Sequence, residues 1–214
     1  MNILHLDSSM LGNSSITREL SAAVAAVLRA QHPSAHVTYR DLVHDEIRHL
    51  TGPIAAGFRQ IDVGAFDDAT TREHELSEAL VKEFLASDVI VIGAPMYNFS
   101  VPSQLKAWLD RVAQAGRTFR YTENGPVGLA GGKQVIVASA RGGFYAEAPL
   151  SHMDFQESYL KAFFGFLGIT DVRFVRAEGV SKGQAVRDQG IALARASVTE
   201  VLVNVRTSGA QTIQ

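Results

Sequence analysis

Short apolar segments alternate with longer amphipathic segments along the chain, and this alternation constrains the fold more than any other feature of the sequence. It is typical of βα units arranged around a mostly parallel sheet. Residues 89–93, Val-Ile-Val-Ile-Gly, are apolar without alternation, as expected of a central strand that helices cover on both faces. The pattern predicts strands at residues 3–7, 36–42, 89–93, 134–138 and 171–177, and helices at residues 15–31, 53–62, 70–86, 102–115, 151–167 and 184–205.

This order of elements predicts an α/β fold, a doubly wound five-stranded parallel sheet with helices on both faces. A TIM barrel would need eight βα units and typically about 250 residues, whereas the chain has 214. Residues 116–132 are rich in glycine and polar residues and are expected to form a loop or a small hairpin. Because no repeat, low-complexity tract or linker interrupts the sequence, residues 1–214 are expected to form a single domain.

Composition narrows the classes of function. Twenty Lys and Arg residues against 22 Asp and Glu residues leave a formal net charge of -2, so there is no global positive field to hold nucleic acid or an anionic membrane. The absence of cysteine excludes disulfides, thiolate metal sites and cysteine nucleophiles. The seven histidines show no metal-ligand spacing, so no metal is expected. No apolar run approaches the ~20 residues that span a bilayer, and the first residues do not resemble a secretory signal, so we expect a cytoplasmic protein that acts on a small molecule.

The first of three unusual strand-end loops, residues 7–17, is dense in small hydroxyl side chains and runs directly into a helix. In open α/β sheets, ligands bind at the carboxyl ends of the strands, near the point where the strand order reverses. Hydroxyls from Ser9, Ser15 and Thr17, together with backbone N–H groups at the helix start, can hold a phosphate there. For this loop taken alone, capping of the helix by Ser14 or Ser15 is the simpler interpretation.

The other two loops follow the third and fourth predicted strands. Residues 94–102 place Tyr97 and Phe99 beside Asn98, which suits a flat heteroaromatic ring; the alternative is that the two side chains only cover the sheet edge. Residues 139–145 contain Gly142 and Gly143, which permit close approach of the backbone to a ligand but can also form a plain turn. The neighbouring Arg141 adds a fixed positive charge. If the strand order is 2-1-3-4-5, the first, third and fourth strands are neighbours and all three loops line one crevice.

Residues 93–110, Gly-Ala-Pro-Met-Tyr-Asn-Phe-Ser-Val-Pro-Ser-Gln-Leu-Lys-Ala-Trp-Leu-Asp, closely resemble the hallmark of the FMN-dependent NADH-azoreductases, the flavodoxin-like quinone reductases of bacteria. The resemblance extends to residues 119–122, 141–143 and 166–172 and so covers nearly the whole chain. It implies a flavodoxin-like fold with strand order 2-1-3-4-5. It also implies a tightly but non-covalently bound FMN, with NADH as the electron donor.

The resemblance also implies which residues hold the cofactor. The FMN phosphate would be bound by Ser9, Ser15, Ile16 and Thr17. The ring would lie against Met96, Tyr97, Asn98 and Phe99 on one side and against Ala140, Arg141, Gly142 and Gly143 on the other. Arg141 and nearby N–H groups are expected to stabilise negative charge at the pyrimidine edge of the reduced cofactor. Relatives often carry Ser where this chain has Ala140, and some carry His where it has Tyr145, so a hydroxyl contact and a histidine-assisted proton step are not assumed.

Relatives of this kind are homodimers in which the second subunit completes each acceptor pocket, so Asn98, Phe99, Tyr121 and Phe163 are expected to bind the acceptor. One of Phe163 and Phe164 is expected in the core, because adjacent helical residues diverge by about 100°. The implied reaction passes two electrons from NADH to quinones and cleaves aromatic azo compounds to amines by a ping-pong mechanism. The alternatives are an FMN electron carrier and a redox-sensing module without quinone turnover. The near-neutral charge favours the enzyme over the carrier, since such carriers tend to be acidic.

Overall fold

A computed structural model of the chain describes residues 1–59, 62, 64–147, 149–203 and 205. The strands are β1 (Asn2–Asp7), β2 (His36–Asp41), β3 (Val89–Pro95), β4 (Phe119–Thr122), β5 (Gly125–Gly128), β6 (Gln134–Ala140) and β7 (Asp171–Ala177). The helices are α1 (Ile16–Gln31), α2 (Gly52–Ala56), α3 (Asp68–Ala86), α4 (Ser103–Val112), α5 (Phe155–Phe166) and α6 (Gln184–Val201), with short 3₁₀ turns at Gly12–Ser14 and Ser151–Met153.

The main sheet has the order β2-β1-β3-β6-β7, and each of its neighbouring strand pairs is parallel. Counted along the chain without the β4–β5 hairpin, this is the order 2-1-3-4-5, so the predicted sheet is confirmed. β3 lies at the centre and is buried along its whole length, which is why its sequence lacks an apolar-polar alternation. The strand order reverses between β1 and β3, so a crevice forms at their carboxyl ends.

Helices cover both faces of the sheet. On one face α3, α4 and α5 pack against alternate strand residues such as Ile90 and Ile92. On the other face α1 and α6 pack against the intervening residues, such as Val89 and Val91. This alternation of side chains on a strand divides the apolar residues into two buried clusters, one on each side of the sheet.

Several element boundaries differ from those that the pattern predicts. The helix predicted at residues 102–115 begins at Ser103 and ends at Val112, because the Thr118 hydroxyl donates to the Val112 carbonyl (2.8 Å) and accepts from the Gln114 N–H (2.9 Å). The helix predicted at 151–167 divides into a 3₁₀ turn and α5, whose N-cap is Asp154.

The structure also tests the predictions for residues 116–132 and for the second and last helices. Residues 116–132 contain the antiparallel β4–β5 hairpin, one of the two forms expected for them. The helix predicted at 53–62 ends at Ala56, and residues 60 and 61 of that prediction lie outside the described part of the chain. The last helix ends at Val201 rather than at residue 205. Within the described residues, none of the helices is long and apolar enough to cross a membrane.

Candidate functional site

The three strand-end loops meet at the carboxyl edge of the sheet, because β1, β3 and β6 are neighbours in it. Backbone hydrogen bonds join them directly. The Ser8 N–H donates to the Gly93 carbonyl (3.1 Å), and the Met96 N–H donates to the Ala140 carbonyl (2.9 Å). The crevice that the strand order predicts is therefore present, with its walls connected through the backbone.

The first loop combines a helix cap with unused donors. The Ser15 hydroxyl accepts from the Arg18 N–H (3.2 Å), so the capping interpretation is correct. The same hydroxyl lies 3.1 Å from that of Thr17, and Ser9, Ser15 and Thr17 are all buried. In the described part of the chain, the N–H groups of Ile16 and Thr17 have no acceptor. These hydroxyls and N–H groups at the positive end of α1 form a cradle for an anion.

Tyr97 connects the second loop to the first. Its hydroxyl accepts from the Met10 N–H (3.3 Å) and lies 3.4 Å from the Ser9 hydroxyl. The phenol group is thus directed toward the anion cradle, a contact between distant loops that the sequence did not predict.

The second loop forms a tight turn with unusual backbone angles. Tyr97 and Ser100 exchange hydrogen bonds of 3.0 and 3.1 Å, and the two residues between them, Asn98 and Phe99, have φ values of 47° and 71°. Such angles cost of order 1–3 kcal/mol for each residue other than glycine, and they concentrate at ligand sites. The Phe99 ring is 39% exposed and lies edge-on to the Tyr145 ring at 6.2 Å. It therefore does not simply cover the sheet edge.

The third loop has its carbonyl groups occupied and its glycine N–H groups unused. The carbonyls of Arg141, Gly142 and Gly143 accept from the N–H groups of residues 180, 181 and 179 at 2.9–3.2 Å. Among the described residues, nothing accepts from the N–H of Gly142 or Gly143. A Cβ on Gly142 would lie 2.9 Å from the Ser181 hydroxyl, so a larger residue would displace this packing. Hydrogen bonds from residues 179–181 therefore hold the loop in place, and its two glycine N–H groups remain as donors for a ligand.

Arg141, which is expected to add a fixed positive charge to this loop, keeps that charge inside the protein. Its side chain is fully buried, and its guanidinium pairs with Asp154 (2.7 Å), Glu157 and Glu178 (3.5 Å). Glu157 also accepts from Arg176 (2.5 Å). Burial opposes ionisation of Glu157, but the hydrogen bond from Arg176 and the charge of Arg141 outweigh it and lower the pKa of that carboxyl. The positive charge at 141 is balanced inside the protein, because side chains at odd positions of β6 point toward α5.

Four residues are expected to bind the acceptor, and within a single chain only Asn98 and Phe99 lie together at the crevice. Tyr121 on the β4–β5 hairpin is 74% exposed, and its ring contacts Phe119 at 5.4 Å. Phe163 is half-buried beside Phe164, which is fully buried in the core, so the expectation that one of this pair is a core residue is confirmed. No ring contact joins either Tyr121 or Phe163 to Phe99 in the part of the chain that the structure describes.

Glu178 is a site-supporting residue that the sequence interpretation missed. Its carboxylate accepts from the N–H groups of Tyr145 (2.7 Å) and Ala146 (3.0 Å) and also faces Arg141, so it shapes the third loop. Its position directly after β7 could have indicated a role at the site, because the carboxyl end of β7 lies at the same edge of the sheet as the three loops. Gln156, which donates to the Ala94 carbonyl from the buried side of α5 (3.0 Å), carried no such signal.

Comparison with known proteins agrees with this architecture. A family model described as having a flavodoxin-like fold matches residues 1–202. A protein of Ralstonia nicotianae named FMN-dependent NADH:quinone oxidoreductase is 62% identical over 202 residues, covering 94% of this chain and 97% of the relative. FMN-dependent NADH:quinone oxidoreductase 2 of Xanthomonas euvesicatoria pv. vesicatoria is 58% identical over 205 residues, covering 96% and 95%. The crystal structure of azoreductase AzrA matches with a TM-score of 0.84 and 26% identity, over 94% of this chain and 98% of that one.

Proposed function

The chain belongs to the family of FMN-dependent NADH:quinone oxidoreductases of flavodoxin-like fold, and from this membership we propose that it transfers two electrons from NADH to quinones by means of FMN. The observation that carries the proposal is the meeting of three loops with unused N–H donors at the carboxyl edge of β1, β3 and β6. Such an edge is where open α/β sheets bind their ligands.

The residues at this edge fit FMN. The hydroxyls of Ser9, Ser15 and Thr17 and the N–H groups of Ile16 and Thr17 would hold the phosphate, because they supply donors without a repelling carboxylate among them. The positive-φ turn within the segment Met96, Tyr97, Asn98 and Phe99 would support one side of the ring. On the other side, the backbone of Ala140, Arg141, Gly142 and Gly143 would present the two free glycine N–H groups to the polar edge of the ring.

When bound, FMN supplies the chemistry of the reaction, accepting a hydride from NADH and passing two electrons to the acceptor. The protein residues bind and orient the reactants. Asn98 and Phe99 would position flat rings at the crevice, and donor and acceptor would occupy the same place in turn, which predicts ping-pong kinetics. The same place would admit aromatic azo compounds, which we propose are cleaved to amines.

We propose that the working molecule is a homodimer and that Tyr121 and Phe163 enter the acceptor pocket across its interface. The support is that Tyr121 on the β4–β5 hairpin is 74% exposed and Phe99 at the crevice is 39% exposed, so both side chains retain surface that a second chain can cover. Sedimentation equilibrium should give about twice the 23.1 kDa of one chain. A cytoplasmic location is part of the proposal, since NADH is available there, and cell fractionation would check it.

Anaerobic titration with NADH followed by a quinone tests the proposed reaction. The purified protein should carry about one FMN per chain, lose its visible flavin absorption with one NADH equivalent, and regain it when menadione is added. Initial rates at several menadione concentrations should give parallel double-reciprocal lines. A protein that takes up no FMN would contradict the proposal. Full bleaching by NADH without menadione turnover would instead indicate an electron carrier or a redox sensor.

A further inference from the structure

A polar cluster lies directly behind the first loop and has no part in the proposed reaction. It consists of His5 and Asp7 on β1, Arg18 and Ser21 on α1, and Tyr39 and Asp41 on β2. The parallel register of β1 and β2 sets His5 beside Tyr39 and Asp7 beside Asp41. The side chains of residues 3, 5 and 7 face α1, so the cluster is enclosed between the sheet edge and the first turns of that helix.

Arg18 connects this cluster to the anion cradle. Its guanidinium pairs with both carboxylate oxygens of Asp41 at 2.6 Å and donates to the Ser9 carbonyl at 3.1 Å. Its backbone N–H donates to the Ser15 hydroxyl at 3.2 Å. A single residue therefore contacts two of the hydroxyl residues that would hold the phosphate, and its side chain is only 16% exposed. The two terminal nitrogens of the guanidinium are occupied by Tyr39 and Asp41 on β2 and by the Ser9 carbonyl, while the buried Nε has no partner among the described residues. Arg18 therefore acts on the phosphate site through Ser9.

Two carboxylates near Arg18 determine how its charge and its position affect anion binding at the cradle. Asp7 is buried, with hydroxyl donors from Ser21 (2.8 Å) and Tyr39 (3.1 Å), and Gly93 leaves the space that its carboxylate fills. Two carboxylates, Asp7 and Asp41, thus lie close behind the cradle and would repel a phosphate. The Arg18 guanidinium neutralises Asp41 and holds the Ser9 carbonyl. Its loss would leave the negative charge of Asp41 unpaired and the first loop unanchored, and both changes would weaken phosphate binding.

We propose that Arg18 is the positioning residue of the FMN phosphate site: anchored on Asp41, it holds the Ser9 carbonyl so that the Ser9 hydroxyl and the first N–H groups of α1 meet the phosphate. This inference rests on the proposed function, since it assumes that FMN is the ligand. If the inference is correct, Arg18 affects binding of the FMN phosphate and not binding of the flavin ring, so its replacement should weaken FMN binding but not riboflavin binding.

The test compares FMN with riboflavin, which has the same ring and lacks the phosphate. Flavin is removed from the full-length protein, and the Kd for each flavin is measured by quenching of flavin fluorescence. In Arg18→Met the ratio of the riboflavin Kd to the FMN Kd should fall at least about tenfold, the value of a hydrogen bond to a charged group, while the riboflavin Kd changes less than about twofold. The matched control is Arg195→Met, which removes an arginine paired with Glu19 on the outer side of α1 and should leave the ratio unchanged.

A second variant keeps the inference open to refutation if Arg18→Met does not fold. Arg18→Lys keeps the positive charge opposite Asp41 but lacks the planar fork that reaches Asp41 and the Ser9 carbonyl together, so the Kd ratio should fall about threefold. An unchanged ratio in folded Arg18→Met, or an equal loss of affinity for both flavins, would overturn the inference and leave the proposed function intact. Wild-type protein with no affinity for FMN would overturn the proposed function itself.

Discussion

At the residue scale, Arg141 places a full positive charge where water does not reach it. Its fully buried guanidinium faces three carboxylates, from Asp154, Glu157 and Glu178. Desolvation makes such a cluster costly to assemble, but removing one partner is costlier, because the remaining charges are then buried without compensation. The side chain therefore serves to hold the third loop and α5 together, while the N–H groups of Gly142 and Gly143, which have no acceptor among the described residues, remain available to the ligand.

Replacement of Arg141 by Met should therefore destabilise the protein strongly. The free energy of unfolding should fall by about 3–5 kcal/mol, since Met fills the space without neutralising the carboxylates. Urea denaturation of the flavin-free protein would measure this loss. Arg195→Met, which breaks an ion pair between largely exposed side chains, should cost less than about 1 kcal/mol. A loss in Arg141→Met as small as that of the control would show that the buried charges are not coupled.

His5 makes stability depend on pH. Burial lowers its pKa below 6.5, with the charge of Asp7 opposing the shift and that of Arg18 adding to it. The Ser21 hydroxyl donates its single proton to Asp7 (2.8 Å), so Nε2 of a neutral His5 donates to Ser21 (2.9 Å). In the unfolded chain the histidine takes up a proton near pH 6.5. Stability is therefore lost as the pH falls from about 7 through 6.5 toward the lower folded pKa.

His5→Gln should flatten this pH dependence between pH 7 and 5.5. The slope of the unfolding free energy should decrease by up to about 1.4 kcal/mol per pH unit, the value for one proton. His44→Gln gives a comparison of opposite sign, because the hydrogen bond that His44 Nδ1 donates to the Asp45 carboxylate raises the pKa of the exposed His44. Its stabilising contribution is lost as the pH rises, so its removal should steepen the acid-side loss. Equal slopes in wild type and His5→Gln would contradict the assignment.

At the scale of an element, the turn from Tyr97 to Ser100 is held in a conformation that its central residues disfavour. Asn tolerates the left-handed region better than Phe does, so most of the strain belongs to Phe99 at φ 71°. The turn persists because its ends are hydrogen-bonded to each other and its strand is buried at the centre of the sheet. Strain of this kind is retained where the backbone serves a ligand.

Two substitutions at Phe99 separate the strain from the ring. Phe99→Ala removes the ring but keeps a Cβ at positive φ, whereas Phe99→Gly also removes the strain, so the glycine variant should be more stable by about 1 kcal/mol. Both variants should lose kcat/KM for menadione to a similar extent, because both lack the ring at the crevice. Thermal unfolding and steady-state rates measure the two effects. Equal stabilities would show that the turn carries no strain at this residue.

The helix ends show which boundaries depend on neighbouring residues in the sequence and which depend on contacts from elsewhere in the chain. Ser15, Asp67 and Asp154 each accept a hydrogen bond from the N–H three residues later, as N-cap residues do. The predicted start at residue 15 agrees with the cap at Ser15, whereas the predicted starts at residues 70 and 151 differ from the caps at Asp67 and Asp154. The end of α4 depends on the Thr118 hydroxyl, which reaches back from beyond the helix. No periodicity in the sequence predicts that contact, so the predicted helix continued to residue 115.

At the scale of the whole molecule, two apolar clusters share one sheet. Trp108 is buried on the face covered by α3, α4 and α5, and Leu28 is buried on the face covered by α1 and α6. Since alternate residues of the same strands belong to both clusters, neither face should keep its structure when the other is lost. We therefore predict that the chain unfolds as a single domain.

Leu28→Ala tests this coupling across the sheet. The substitution should cost about 2–5 kcal/mol, and the unfolding transition reported by Trp108 fluorescence should move to lower urea together with the far-UV circular dichroism. A fixed chain concentration is needed because dimerisation contributes to stability. If the Trp108 transition stayed in place while the dichroism moved, the two faces would be separate folding units.

The sequence by itself determined the five strands of the main sheet and the three loops that follow them, because apolar periodicity and turn residues act locally. The order of the sheet was predicted from the resemblance to a known family. Tertiary structure alone decided where the side chains of those loops point. The burial of Arg141 against α5 and the contact of Tyr97 with Ser9 both depend on elements that are distant in sequence and pack into one place. Such contacts arise from the geometry of the packed sheet, and no local pattern of residues encodes them.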